Sequence, residues 1–192
     1  MGHKNNSSRE GIIASTLYWV KSTVIHYNLC PFANKVFVTD RLHVSVSASL
    51  TQEQLLEDCL LAIQQLFKTS REEVETVLLV HPQCMNDFLD YNEFLGMVDV
   101  LLEEMDLSGV VQVASFHPDY CFAECDKDDA ANFTNRSPYP MLHILREESV
   151  SEAVEEWAER GLDIESIPMQ NIEILRKLGR DILAGQLTDC YK

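Results

Sequence analysis

Two apolar runs that each end in a His-Pro pair constrain the fold of this chain more than any other feature. Thr76-Val77-Leu78-Leu79-Val80 runs into His81-Pro82, and Val110, Val111, Val113 and Ala114 lead to His117-Pro118. Both are short, rich in β-branched residues and apolar at successive positions, the pattern of strands covered on two faces. Between them, Met85 to Met105 carries Phe88, Leu89, Phe94, Leu95, Val98, Leu101 and Leu102 at helical spacing. Strand, helix, strand in that order produces neighbouring strands backed by a helix. If the strands are parallel, both histidines lie at one carboxyl edge of the sheet, where ligands of open α/β folds bind.

The remainder of the chain fits the same plan. Ile12, Ile13, Leu17, Val20, Val24 and Ile25 predict a first helix, capped by Ser7 or Ser8 and ending before Cys30-Pro31. Val36 to Val38 and Leu42 to Val46 read as one strand or a tight hairpin around Asp40-Arg41. Thr51 caps a helix whose stripe runs from Leu55 to Phe67. Met141 to Leu145 reads as a short strand or a first helical turn, Ser149 opens a further helix, and a last one spans Pro168 to Leu187. The expected fold class is α/β, or α+β: a single-domain layered sandwich with a central sheet of about four strands packed by helices. Residues 1–10 are expected to be a flexible N-terminus and 11–188 the globular domain.

Charge and composition exclude several classes of partner. At 192 residues and 46% hydrophobic content the chain can build its own core. A net charge of −16 opposes both nucleic-acid phosphates and anionic membranes, and no stretch of about 18 apolar residues is present to span a bilayer. Met1-Gly2-His3-Lys4 begins no signal peptide, so the expected compartment is the cytoplasm, with the six scattered cysteines as free thiols.

Candidate chemistry concentrates between His117 and Arg146. Asn135, Arg136, Ser137, His143 and Arg146 lie in or just after a long polar loop, and guanidinium forks with neutral donors are the means of holding a small anion such as a phosphorylated metabolite. The structural alternative is that they build turns. His117 and His81 suit proton transfer, with Asp119 to orient a ring, or else they are hydrogen-bonded caps of the sheet edge. His117, Cys121 and Cys125 at spacings of four form a weak pattern for zinc or iron. Cys30 is a structural thiol unless the fold brings Arg136 or a histidine over it. No sequence signature identifies a cofactor: GxGxxG, GxxxxGK[ST], HExxH and GxSxG are missing.

The words LCPFA at Leu29 to Ala33, VHPQ and NDFLDYNEFL between Val80 and Leu95, QVASFHPDY at Gln112 to Tyr120 and TNRSPYPMLHILRE at Thr134 to Glu147 are together specific. They resemble a bacterial family catalogued as domain of unknown function 1415, from the first helix to about Val154. The resemblance implies one full-length domain in a bacterial cytoplasm. Its recurring words fall here on Cys30, His81, Asp87, Tyr91, His117, Tyr120, Asn135, Arg136, Ser137, His143 and Arg146. Cys121 and Cys125 are outside that pattern.

Three functional expectations follow. The first is an enzyme acting on a small anionic metabolite, with Arg136 and Arg146 holding the anion, Asn135 and Ser137 orienting it, His117 and Asp119 moving a proton, and His81 or Cys30 completing the cleft. The second is a non-catalytic ligand- or protein-binding module. The third is a metal-dependent enzyme using His81, His117 and His143.

Overall fold

The protein was analysed as a computed structural model that describes residues 8–159, 161 and 166–192. Helix α1 (Arg9–Trp19) begins where the Ser8 side chain accepts from the Gly11 N–H at 3.1 Å. Residues 1–7 of the expected flexible start lie outside the described residues, and Arg9 and Glu10 are already helical. The helix runs into a π-helical turn, Val20–Ile25, which closes at Asn28 in the left-handed region.

The stretch read as a strand at Val36–Val38 is instead a helix, α2 (Ala33–Val38). Asp40 takes φ 55°, its N–H bonds to the Phe37 carbonyl (3.3 Å), and the Arg41 N–H bonds to the Val36 carbonyl (2.9 Å). Those two bonds form a Schellman closure, and a six-residue helix is too short to display its period in sequence. Only Leu42–Val46 is extended, as β1.

The chain continues through α3 (Gln52–Lys68), capped by Thr51, β2 (Thr76–Val80), α4 (Phe88–Glu104), capped by Asp87, and β3 (Val111–Phe116). A 3-10 helix (Ala130–Thr134) interrupts the long loop before β4 (Met141–Arg146) and α5 (Glu147–Glu159). The expected single last helix is two, α6 (Ile167–Leu178) and α7 (Arg180–Asp189), because Gly179 at φ 84° breaks the hydrogen-bond ladder between them.

The four strands form one mixed sheet in the order β1-β2-β4-β3. β1 and β2 are parallel, whereas β4 lies antiparallel to both β2 and β3. β2 and β3 therefore point the same way with one strand-wide slot between them, which β4 fills. The fold is α/β, and the carboxyl ends of β2 and β3 share an edge, carrying His81 and His117.

Alternation along the strands separates two apolar layers. Val77, Leu79, Leu142 and Ile144 pack against Leu55, Cys59 and Ile63 of α3 and Tyr91, Phe94 and Val98 of α4. Leu78, Val80 and Met141 face the other way, toward Ile12, Trp19 and Val20 and the residues Leu175 and Leu183 of α6 and α7. Among the described residues, no helix is long and apolar enough to cross a membrane. Because Leu142 is fully buried at the middle of the sheet, Leu142→Ala is expected to lower the unfolding free energy by about 3 kcal/mol. Urea denaturation monitored by circular dichroism checks this, and a loss below about 1 kcal/mol would contradict the central position of β4.

Candidate functional site

The shared edge of β2 and β3 is a closed polar-aromatic plug. His81 and His117 are both 0% exposed. Tyr91 lies between them, 5.6 Å from His81 at 28° and 5.2 Å from His117 at 31°, with its hydroxyl donating to the Met141 carbonyl (2.9 Å). His117 Nδ1 accepts from the Asp119 main-chain N–H (3.0 Å), so Nε2 carries the proton and donates to the Met85 carbonyl (3.2 Å). The Asp119 carboxylate does not orient the ring; its backbone does. His81 Nδ1 donates to the Cys84 carbonyl (2.9 Å), leaving Nε2 buried without a partner. Burial pushes the pKa of His81 down to about 4 and that of His117 below its usual value, so both are neutral imidazoles near neutral pH.

The polar loop is equally self-contained. Arg136 donates from Nε to the Tyr120 carbonyl (3.0 Å) and from Nη2 to the Lys127 carbonyl (2.7 Å), with its guanidinium over the Phe133 ring. Asn135 donates to the Ser115 carbonyl (3.0 Å) and Ser137 to the Tyr139 carbonyl (2.6 Å). Asn132, fully buried, accepts from the Phe122 N–H and donates to the Asp126 and Lys127 carbonyls. The side chains expected to cradle an anion bond main-chain carbonyls instead.

Arg146 is elsewhere. It leaves the far end of β4, roughly 17 Å from the Met141 end, and donates to the Leu66 and Thr69 carbonyls at the C-terminus of α3. A cation there complements the helix dipole. The structure thus does not bring Arg136 and Arg146 together around one anion.

His143 is separated from the other histidines by the sheet itself, since Met141, His143 and Leu145 occupy the face opposite Leu142 and Ile144. Among the described residues no group of three His, Cys, Asp or Glu is placed to hold a metal ion. Cys121 interacts with the Phe122 and Cys125 carbonyls.

The fold does bring a histidine and Cys30 to one place. Both line a cavity of about 50 Å³ between the sheet and the first helix, walled by Trp19, Val20, Val24, Phe32, Val36, Leu78 and Phe116. The Thr76 hydroxyl donates to the Ile144 carbonyl (2.6 Å), so its oxygen accepts from His143 Nε2–H (2.9 Å) and Nδ1 keeps a lone pair. Burial pushes the His143 pKa down to about 4. Cys30 follows the π-helical turn and opens the way into α2. Burial raises its thiol pKa and outweighs the Phe32 and Ala33 main-chain N–H groups that favour the thiolate. Sequence reasoning placed Cys30 at a helix C-terminus only; these N–H groups arise from the unrecognised α2.

Trp19 completes the site and was not singled out in sequence. It is 2% exposed, packs edge-on to Phe116 at 5.2 Å, and its Nε1–H has no acceptor among the described residues. A buried donor without a partner is uncommon in native interiors. The available signal was the regular helical spacing around Trp19, which concealed both the π turn and the cavity beside it. π turns occur frequently at functional sites.

A family model described as protein of unknown function (DUF1415) matches residues 11–184. None of the curated proteins or solved structures compared with the chain matches it.

The buried histidines set an acid limit on stability. A neutral His81 with a native pKa of about 4 and an unfolded value of about 6.5 contributes fully above the unfolded value and progressively less as pH falls toward the native one. Between pH 7 and about pH 4 the wild-type protein should therefore lose on the order of 3 kcal/mol more than His81→Phe. Urea titrations of both proteins at several pH values measure the difference; parallel curves would refute a neutral, buried His81.

Proposed function

Since the chain belongs to the DUF1415 family, whose description assigns no function, we propose from its own geometry a thiol-dependent enzyme acting on a small metabolite at Cys30. The supporting observation is that Cys30, His143 and Trp19 line one cavity, and that the Trp19 N–H has no acceptor among the described residues. Cys30 is the nucleophile, His143 Nδ1 the base, and Thr76 the group that fixes the tautomer of the base. Trp19 Nε1–H is the donor for an oxygen of the substrate.

The reaction class that fits these groups is acyl transfer. The sulfur forms a bond to an acyl carbon as its proton passes to His143, and the carbonyl electron pair moves onto oxygen. Return of that pair expels the leaving group, which takes the proton from the imidazolium and leaves a thioester. Water then cleaves the thioester to an acid and regenerates the thiol. A cavity of about 50 Å³ admits only the reacting end of a molecule, so the remainder of the substrate lies outside it.

The reading keeps an enzyme on a small metabolite and moves the chemistry from the 117–146 loop to the opposite face of β4. All six cysteines are free, which supports a reducing, cytoplasmic setting, and the family resemblance supports a bacterial one. A second reading, an interaction module, is favoured by one feature: the groove of about 320 Å³ on α3 and α4 lined by Leu56, Met97, Val100 and Leu101 with Glu93 and Glu104 at its sides.

p-Nitrophenyl acetate tests the thiol reading, because transfer of its acetyl group leaves a mass tag and releases a coloured phenolate. Acetylation is expected at Cys30, abolished in Cys30→Ser and slowed about a hundredfold in His143→Phe, the lower range of general-base effects. Peptide mass spectrometry locates the acetyl group. Acetylation confined to other cysteines, or a rate indifferent to His143 in a folded variant, would remove the proposal.

A further inference from the structure

Beside the cavity, on the other side of α2, is a cleft of about 590 Å³, within the range of small-molecule sites. Its charged lining is Lys35, Arg41 and Arg71 against Glu75, Glu152 and Glu156. Three cations meet three carboxylates in a chain whose net charge is −16. The cleft is thus electrically balanced where the surface as a whole is not.

The ion pairs divide into a fixed floor and an exchangeable rim. Glu75 is 3% exposed and accepts from Arg41 Nη1 (2.8 Å), Arg71 Nη2 (2.9 Å) and the Ser149 hydroxyl, so its lone pairs are occupied. On the rim, Lys35 meets Glu156 at 2.6 Å with side chains 52% and 44% exposed, and Arg71 meets Glu152 at 2.7 Å with 33% and 48%. An exposed pair such as Lys35–Glu156 contributes little to stability and is readily re-partnered. Arg71, by contrast, holds Glu152 through two nitrogens and also reaches Glu148 at 3.4 Å, so an incoming charge joins that network.

Re-partnering selects the charge of the ligand. A lone anion drawn to Lys35 and Arg71 strands Glu152 and Glu156, and a lone cation strands the bases. A molecule with one carboxylate and one ammonium brings an opposite charge to the bases and to the acids at once, so neither set is left alone. Trp157, half-buried in the same lining, offers an apolar wall to the carbon stem between them.

The cleft and the cavity share two side chains, Phe32 and Val36. Both are buried, and Phe32 follows Cys30 by two residues. These two side chains are walls common to the ion-paired cleft and the cavity that Cys30 lines. On the thiol reading of Cys30, on which this step rests, we propose that the cleft holds the zwitterionic head of an amino-acid-like substrate and that Phe32 gates the passage of its acyl-bearing side chain to Cys30. The substrate class is an α-amino acid whose short apolar stem ends in an amide or ester. The acyl–nitrogen or acyl–oxygen bond breaks, the amine or alcohol leaves with the proton from His143, and water releases the acid.

Norleucine, hexanoate and hexylamine share a similar hydrocarbon stem and differ in charge, so they separate the possibilities. The chain has two tryptophans, and Trp19→Phe leaves Trp157 as the only indole reporter. Norleucine is expected to change Trp157 fluorescence saturably and to protect Cys30 from iodoacetamide in the wild-type protein, with the singly charged probes at least tenfold weaker. Arg71→Met and Glu152→Gln should each weaken norleucine at least fivefold. Phe32→Ala should raise the Cys30 labelling rate at least tenfold, and Phe32→Leu, which retains more of the packing, at least threefold.

Equal binding of the three probes, or no binding by any, overturns the zwitterion site. Labelling unchanged in a folded Phe32 variant overturns the gate. Either failure leaves acetylation of Cys30 and its dependence on His143 as measured, so it is distinguishable from failure of the thiol reading. If Cys30 acetylates as proposed but norleucine gives no protection, the substrate head binds elsewhere and this inference is wrong.

Discussion

β4 has no free edge, and the rest of the structure is arranged around that constraint. Its main-chain groups are taken on one side by β2 and on the other by β3, in antiparallel register along its whole length. Side chains of a strand alternate strictly, so a doubly paired strand must divide its residues between the two layers of the sandwich. Leu142 and Ile144 go to α3 and α4; Met141, His143 and Leu145 go to the layer of α1 and α2. A polar residue at the middle of the second set, His143, is therefore turned toward that layer and partly buried there by topology. Thr76, the first residue of the adjoining strand, supplies the acceptor that makes the position tenable for a histidine.

The same accounting explains the long loop before β4. A chain that crosses from the end of β3 to the start of β4 over a buried edge must satisfy its carbonyls without a sheet partner. Arg136, Asn132, Asn135 and Ser137 provide those partners. Arginine suits the task because one planar fork reaches two carbonyls, Tyr120 and Lys127, from a single buried position. Desolvation holds the Arg136 pKa below its ordinary value, with Asp119 opposing. The result is a stiff loop built from residue types that, in sequence, look like a binding loop.

That coincidence marks where sequence reasoning stopped. The strand at Thr76 and the helix after it were legible because each buries a continuous face, and burial writes its period into the residues. The strand at Val111 was legible as a strand, but it lies at the edge of the sheet with only Val111 buried rather than covered on both faces. The common edge for His81 and His117 was legible too, since strand, helix, strand restricts topology. The closure of that edge by Tyr91 was not, because no spacing rule tells whether an imidazole faces solvent or a ring. Val36-Phe37-Val38 carried strand propensity, and the Schellman closure at Asp40 overrode it. The common cavity of Cys30 and His143 depended on that missed helix and on which face of β4 His143 took.

Burial of the thiol and imidazole has a chemical consequence that reaches beyond packing. An apolar cavity disfavours the thiolate and the imidazolium separately, so the resting pair is neutral. The same low polarity strengthens every dipole directed at charge that forms there. The Trp19 N–H and the Phe32 and Ala33 main-chain N–H groups are such dipoles. On the proposed thiol chemistry, their stabilisation would become available only when a bound acyl group puts negative charge on oxygen or sulfur, coupling deprotonation of Cys30 to attack. On that proposal a cavity of this kind slows a nucleophile toward general electrophiles and favours a molecule that fits.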